Sequence, residues 1–346
     1  MVGRLGRVTS TGDPGVDEVE VADVSVAMCT RNGAHFVAEQ VRSILNQSVV
    51  PREIVVGDDA SSDNTIEVIE ATYAAVRAQR AGVTTRLHVH RRPKPLGVAG
   101  NFEATISECR GSLVALSDQD DVWPPGRLAR LMPLFDDPAV GLVHTDAVLV
   151  DADGVSTGTL LLDAIEVGEA ERRALAAGEA FDILLRRNLV TGATVIVRRD
   201  IAESAMPFPA SWLHDEWLAA VASTTGSLRL VDEPWLHYRQ HGANEVGASV
   251  PTWSRRWEKL REPRGPRSAR LVARASSLVD YLNRKTVDPR LHEAARAKLV
   301  HEKWRSHLPA TRVLRLAPVV GALVSGRYRR FNRGLLDALR DLVQPV

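Results

Sequence analysis

Three carboxylates fall within four positions at Asp118, Asp120 and Asp121, and they close an apolar run, LVALSDQDDVW, over 113–123. Carboxylates this close repel one another unless a cation lies among them, and a hard divalent ion such as Mg or Mn takes oxygen ligands of this kind. Asp118 and Asp120 are two apart, so in an extended segment both side chains leave on the same side. An ion held there would normally also hold a diphosphate. A turn is the competing reading, because Asp is common where strands end and Trp123-Pro124-Pro125 breaks regular structure.

These residues need elements to position them. VADVSVAM (21–28) reads as a strand, followed by the polar turn CTRNG and a helix over 34–45 with apolar residues at helical spacing. EIVVG (53–57) is a second strand ending in Asp58-Asp59, and Ser62 or Asp63 can cap a helix over 66–81. A third strand is expected at 86–90, a Gly-containing loop at 96–101, a helix at 102–109, and then the acidic strand. Strand and helix alternate without hairpin turns, which predicts an α/β fold with a doubly wound, mostly parallel sheet. The polar clusters at 30–32, 58–59 and 118–121 then line one edge, where open α/β sheets bind ligands. Downstream, a helix is expected at 127–134, strands at 140–144 and 147–151, a polar helical insertion at 168–185 and a buried strand at 191–197. Trp212 to Leu218, WLHDEWL, sets an acidic pair between aromatics and opens a helix through Val221; short strands at 228–231 and 235–238 lead to RQHGAN.

Length and composition, 346 residues with 45% hydrophobic and 25% charged, suit one large domain with an appendage. No run of 18 apolar residues occurs, and the polar start lacks the hydrophobic region of a secretory signal, so a cytoplasmic location is expected. Cys29 and Cys109 are too few for a zinc site or disulfide framework and read as buried packing residues. Residues 248–346 hold 22 Lys and Arg against 8 Asp and Glu, a local +14; the remainder carries −13. A leader at 1–20, a catalytic domain at 21–247 divided near 123, and a basic helical extension at 248–346 follow from these shifts. Such an extension favours anionic surfaces. Neither G-x-G-x-x-G nor a Walker lysine motif follows the first strand, which disfavours dinucleotide oxidoreductases and P-loop enzymes.

VSVAMCTRNG, EIVVGDDASSDNT, LSDQDDVW, HDEW and YRQHGAN, in this order and spacing, resemble the family 2 glycosyltransferases over about 22–247, and within them the bacterial rhamnosyltransferase-like branch that builds surface polysaccharide. The resemblance implies a GT-A fold and inversion at the sugar's anomeric centre. It implies that Thr30 and Asn32 lie along the nucleotide, that Asp58 or Asp59 meets base and ribose, that Asp118 and Asp120 hold metal and diphosphate, and that Asp215 is the catalytic base. His241 falls where some members place a histidine on metal or diphosphate. Two departures stand out: Cys29 and Arg31 replace the Pro and Tyr common in the first motif, and Gly100 stands where many members have a cation. Phosphate neutralisation would then rest on metal and on Arg239 or His241. Trp212 and Trp217 are candidates to shield Asp215 or to stack on an acceptor sugar, whereas Trp123 and Trp235 read as packing.

The expected function is a metal-dependent inverting glycosyltransferase, with Mg or Mn as cofactor, a dTDP- or UDP-sugar donor and a saccharide or lipid-linked acceptor. The alternatives are a non-catalytic sugar-nucleotide or polysaccharide-binding protein and a metal-dependent nucleotidyltransferase. No nucleic-acid partner is expected; 248–346 is a candidate for peripheral contact with the inner membrane or for homo-oligomer formation.

Overall fold

A computed structural model describes residues 19–242 and 263–345. Most of the expected leader, Asn244 of the last motif and the Arg- and Trp-rich stretch 253–261 lie outside the described residues.

Eight strands form one sheet: β1 (Val21–Thr30), β2 (Val50–Asp58), β3 (Arg86–Arg91), β4 (Leu113–Ser117), β5 (Leu142–Val150), β6 (Ser156–Leu160), β7 (Ile196–Arg198) and β8 (Leu228–Arg239). Their order is β3-β2-β1-β4-β7-β5-β6, with β8 beside β5. The first four are parallel, β7 is antiparallel to β4 and β5, and β8 runs parallel to β5. Of the parallel strands, β1, β2 and β4 are largely apolar and buried because both faces are covered, whereas β3, RLHVHR at the sheet edge, is not. Alternation then sorts neighbours: Val26 and Ala115 face one core, while Ala27, Val114 and Leu116 face the other.

The helices α1 (Val37–Leu45) and α2 (Thr65–Gln79) cover the first face through Val41, Ile44 and Ile69. On the other face lie α3 (Gly97–Glu108), through Phe102 and Ile106, and a later helix, His214–Ser223, through Trp217 and Leu218. Asn64, neither Ser62 nor Asp63, holds the N-cap position of α2 and makes no side-chain cap; Asp63, one residue before it, accepts from the Thr65 amide at 3.1 Å. The segment 96–101, expected as a loop, is instead the first turn of α3. Its start is fixed by Asp59, whose carboxylate accepts from the Leu96 and Gly97 amides at 2.6 and 3.0 Å, a long-range cap that local spacing does not reveal.

The strands expected at 140–144 and 147–151 are one strand, β5, whose pairing with β8 shifts register around Asp146. Likewise 228–231 and 235–238 belong to the single strand β8. The stretch 191–197 is not a strand throughout: Gly192–Thr194 is a 3-10 turn, which leaves only Ile196–Arg198 in the sheet. The expected insertion holds two helices, Glu169–Ala177 and Phe181–Arg186.

Among the described residues five helices follow: Arg264–Asn283, Pro289–Ser306, Arg312–Val324, Arg327–Phe331 and Leu335–Val343. The first packs Leu278, Tyr281 and Leu282 into the core that holds Trp212 and Trp217. The rest are locked by a buried ionic network. Arg305 donates from Nε and Nη2 to both oxygens of Asp341 at 2.7 and 2.9 Å and from Nη1 to Glu302 at 2.9 Å, and the Tyr328 hydroxyl donates to Asp341 at 2.7 Å. Removing one member strands buried charge, so Arg305→Met is expected to cost about 3–5 kcal/mol of stability. Urea denaturation followed by Trp304 fluorescence checks this.

Candidate active site

A cavity of about 810 Å³ opens at the carboxyl ends of the parallel strands. Its walls come from the β1 loop (Thr30, Arg31, Asn32), Asp59, the acidic turn after β4 (Asp118, Gln119, Asp120), the 188–192 segment, the start of the helix α9 (His214–Ser223), and His241. The three polar clusters expected at one sheet edge therefore do meet there.

The β1 loop is held by neighbouring turns. Gln119 Oε1 accepts from the Arg31 amide at 2.8 Å and its Nε2 donates to the Arg31 carbonyl at 3.1 Å. A Cβ on Gly33 would sit 2.1 Å from Gln119 Oε1, so glycine is required by this approach. Asn32 adopts a left-handed φ of 49°, and its Oδ1 accepts from the Ser62 amide at 2.8 Å.

Of the two aspartates after β2, only Asp59 lines the cavity. Asp58 is buried; it accepts from Thr30 Oγ1 at 3.0 Å and from the Ser61 amide at 3.0 Å, an Asx-type turn. Asp58 is thus a loop anchor in this structure, and the expectation that it meets the nucleotide is corrected.

The acidic turn concentrates charge. Burial, then Asp120 and then Asp215 push the Asp118 carboxyl up to about 7. Burial also raises Asp120, while His241, whose Nε2 lies 2.8 Å from Asp120 Oδ2, pulls it down. Asp121 does not face the cavity; it is buried and accepts from the Arg239 amide at 3.0 Å. Asp215 sits in the first turn of α9. Its Oδ2 accepts from the Gly192 amide at 3.0 Å and its Oδ1 from the Glu216 amide at 2.7 Å. Burial still dominates and pushes its carboxyl up to about 6.

Several expected residues stand elsewhere. Arg239 is 2% exposed, and its guanidinium donates to the carbonyls of Asp120 at 2.7 Å and Ala152 at 2.8 Å and to Glu39 at 2.5 Å. It braces the acidic turn and does not line the cavity, which corrects its expected diphosphate role. Trp212 and Trp217 are buried too, donating to Ser277 Oγ at 2.9 Å and the Ala205 carbonyl at 2.7 Å. Neither lines the cavity, so the acceptor-stacking expectation is also corrected; they set the base of α9, where Arg274 pairs with Glu216 at 2.8 Å and lies over Trp212. Cys109 is buried as expected, but Cys29 is only partly buried and lies on the cavity wall.

Arg31 and Gln119 lie within clusters expected at this edge, whereas His35 and His214, which also line the cavity, carried no expectation. Arg31 was legible as a cation within the first motif. His214, stacked on Phe102 with ring centroids 3.8 Å apart, gave no signal beyond its place beside Asp215.

The family model for glycosyl transferase family 2 matches residues 25–173. The stretch 25–173 is thus similar to that family. An uncharacterized glycosyltransferase of Nostoc sp. is 26% identical over 64% of this chain and 66% of its own length. The uncharacterized protein Rv1520 of Mycobacterium tuberculosis is 27% identical over 68% of this chain and 64% of its own. The chain therefore spans just under two thirds of each. The dTDP-rhamnosyl transferase RfbG of Shigella flexneri is 24% identical over 64% of this chain and 74% of its own length. Among solved structures, S. aureus TarS 1–349 in complex with UDP-GlcNAc superposes with a TM-score of 0.57 at 12% identity, covering 92% of this chain and 90% of that one. The mannosyltransferase PcManGT of Pyrobaculum calidifontis, with GDP-Man and Mn2+, gives 0.50 at 19%, covering 96% and 81%. The fold here is the GT-A fold of these structures, with C-terminal helices added.

A buried carboxylate held for function costs stability. Asp215 ionises more readily in the unfolded chain, so its penalty is absent below about pH 4 and complete above about pH 6. The stability of Asp215→Asn relative to the unaltered protein is accordingly expected to rise by about 1–3 kcal/mol as pH climbs from about 4 to about 6, although its amide nitrogen faces one of the two backbone donors. Thermal melts of both forms across pH check this.

Proposed function

We propose that this protein is a metal-dependent inverting glycosyltransferase that moves a sugar from a nucleoside diphosphate donor to a hydroxyl of a saccharide or lipid-linked acceptor, in assembly of a bacterial surface polysaccharide. The observation that carries the reading is the gathering of Asp118, Asp120 and Asp215, from two distant segments, on one cavity. One similar protein is a dTDP-rhamnosyl transferase, and two solved neighbours hold UDP-GlcNAc or GDP-Man, which supports a nucleoside diphosphate sugar as the donor class. A dTDP-rhamnose donor is the first choice for this chain.

A divalent ion fits the residues present. Among the described residues no group of three His, Cys, Asp or Glu side chains forms a metal cage. Mg or Mn bound at a diphosphate needs none, since one or two carboxylates, phosphate oxygens and water complete its shell. Asp118 and Asp120 would hold it, with His241 orienting Asp120. Once bound, such an ion offsets negative charge on the departing diphosphate.

The chain's own groups do the remainder. Thr30, Asn32 and Asp59 lie along the nucleoside, and Arg31 brings positive charge and His35 an imidazole to the same wall. Asp215 takes the proton of the acceptor hydroxyl as that oxygen attacks the anomeric carbon from the face opposite the diphosphate, whose bond to the sugar breaks. The amides of Gly192 and Glu216 hold its two oxygens in place, so the base is aimed before the acceptor arrives. With Trp212 and Trp217 in the core, the acceptor side falls to Asn188, Val190 and Leu213.

The test is transfer from a panel of dTDP-, UDP- and GDP-sugars with Mn or Mg. Asp215→Asn is expected to lower kcat by about 10² to 10⁴-fold while leaving donor affinity nearly unchanged. In the unaltered protein, kcat/KM should fall as pH drops through about 6, because protonated Asp215 cannot accept a proton. Full activity in Asp215→Asn would remove the base from this account. Donor binding without transfer to any acceptor or to water would favour a sugar-nucleotide binding protein.

A further inference from the structure

Nine of the twelve exposed large apolar side chains among the described residues lie on two helices near the C-terminus. In Arg312–Val324, the buried positions Arg315, Val319 and Ala322 form one stripe at helical spacing. The opposite face, where charged residues would ordinarily meet water, holds Val313, Leu316, Val320 and Val324, between 44% and 83% exposed. In Leu335–Val343, Asp337, Ala338 and Asp341 are buried, and Leu335, Leu336, Leu339 and Val343 are 47% to 58% exposed. Both helices turn their buried sides to one cluster containing Val319, Ala322 and Ala338, so both apolar faces look away from it. Single exposed leucines are ordinary on a soluble protein; two neighbouring helices with apolar outer faces are not.

The exposed charge of this stretch itself has one sign, although Arg333 is paired with Glu166 at 2.7 Å. Between 312 and 345, every charged side chain that is not buried is an arginine: Arg312, Arg327, Arg329, Arg330, Arg333 and Arg340. The two acids, Asp337 and Asp341, are buried and paired with Arg267 and Arg305. No described helix is long and apolar enough to cross a membrane, so an apolar face rimmed by arginine suits a helix pair lying on a bilayer and not one passing through it.

We propose that Arg312–Val324 and Leu335–Val343 form a docking surface for an anionic lipid bilayer, with the valines and leucines in the headgroup boundary and the arginines on lipid phosphates. Charge complementarity selects lipid over a second copy of this chain, because a two-fold contact through the same face would bring the two arginine rims together. The surface stands independently of the transfer reaction and of any donor.

The test is flotation of the full chain with vesicles of phosphatidylcholine plus phosphatidylglycerol, with pure phosphatidylcholine alongside, at low and high salt. The full chain should float with the anionic vesicles, less with the neutral ones, and less again at high salt. Val320→Asp and Leu339→Asp are solvent-facing changes that should leave the melting temperature unchanged; each should weaken partitioning by about tenfold or more. Failure to float with anionic vesicles, or variants that float as well as the parent, would overturn the proposal. So would a dimer in light scattering that the same variants dissociate, which would make the face a self-association surface.

Discussion

Asp118, Asp120 and Asp215 share one cavity, and the repulsion among them is the constraint on which the rest of the site depends. Carboxylates removed from water resist ionisation: burial pushes Asp215 up to about 6, and burial together with the charges of Asp120 and Asp215 pushes Asp118 up to about 7. Folding has to hold this arrangement against its own electrostatics. It does so with rigid parts: a parallel sheet buried on both faces, two backbone amides on Asp215, and His241 on Asp120. In the proposed function a cation and a diphosphate would relieve this arrangement, converting the repulsion into ligand affinity.

The bracing extends well beyond the cavity. Arg239 is buried behind the acidic turn and bonds the Asp120 carbonyl, while its own amide donates to Asp121. On the other side, Trp212 and Trp217 pack α9 against the helix Arg264–Asn283, and Arg274 of that helix pairs with Glu216, next to Asp215. The C-terminal helices thus support the segment that presents Asp215, and their buried network around Arg305 keeps them in place. A chain cut before these helices would lose part of the wall behind its proposed base.

The strands β1, β2 and β4 and the acidic turn could be read from the sequence because their signals are local: uninterrupted apolar runs, polar strand ends and closely spaced carboxylates. What could not be read depends on partners far along the chain. The start of α3 is set by Asp59, many residues upstream, and β5 and β8 look broken because their register shifts opposite each other. The same limit explains the site residues. Arg239, Trp212 and Trp217 have the right chemistry for diphosphate or sugar, but only the fold shows that their polar atoms are already bonded inside the protein. Asp58 and Asp59 are adjacent and alike in type; alternation along β2 sends one into a turn and leaves the other at the cavity.

The central claim is that Asp118 and Asp120 gather a cation together with a nucleoside diphosphate. Titrating Mn2+ into the protein by electron paramagnetic resonance, with and without UDP, GDP or dTDP, measures that gathering without relying on turnover. The account predicts one tightly bound Mn2+ per chain only when the matching diphosphate is present, and none in Asp118→Asn or Asp120→Asn. Manganese uptake indifferent to every diphosphate, or unchanged in both variants, would contradict it.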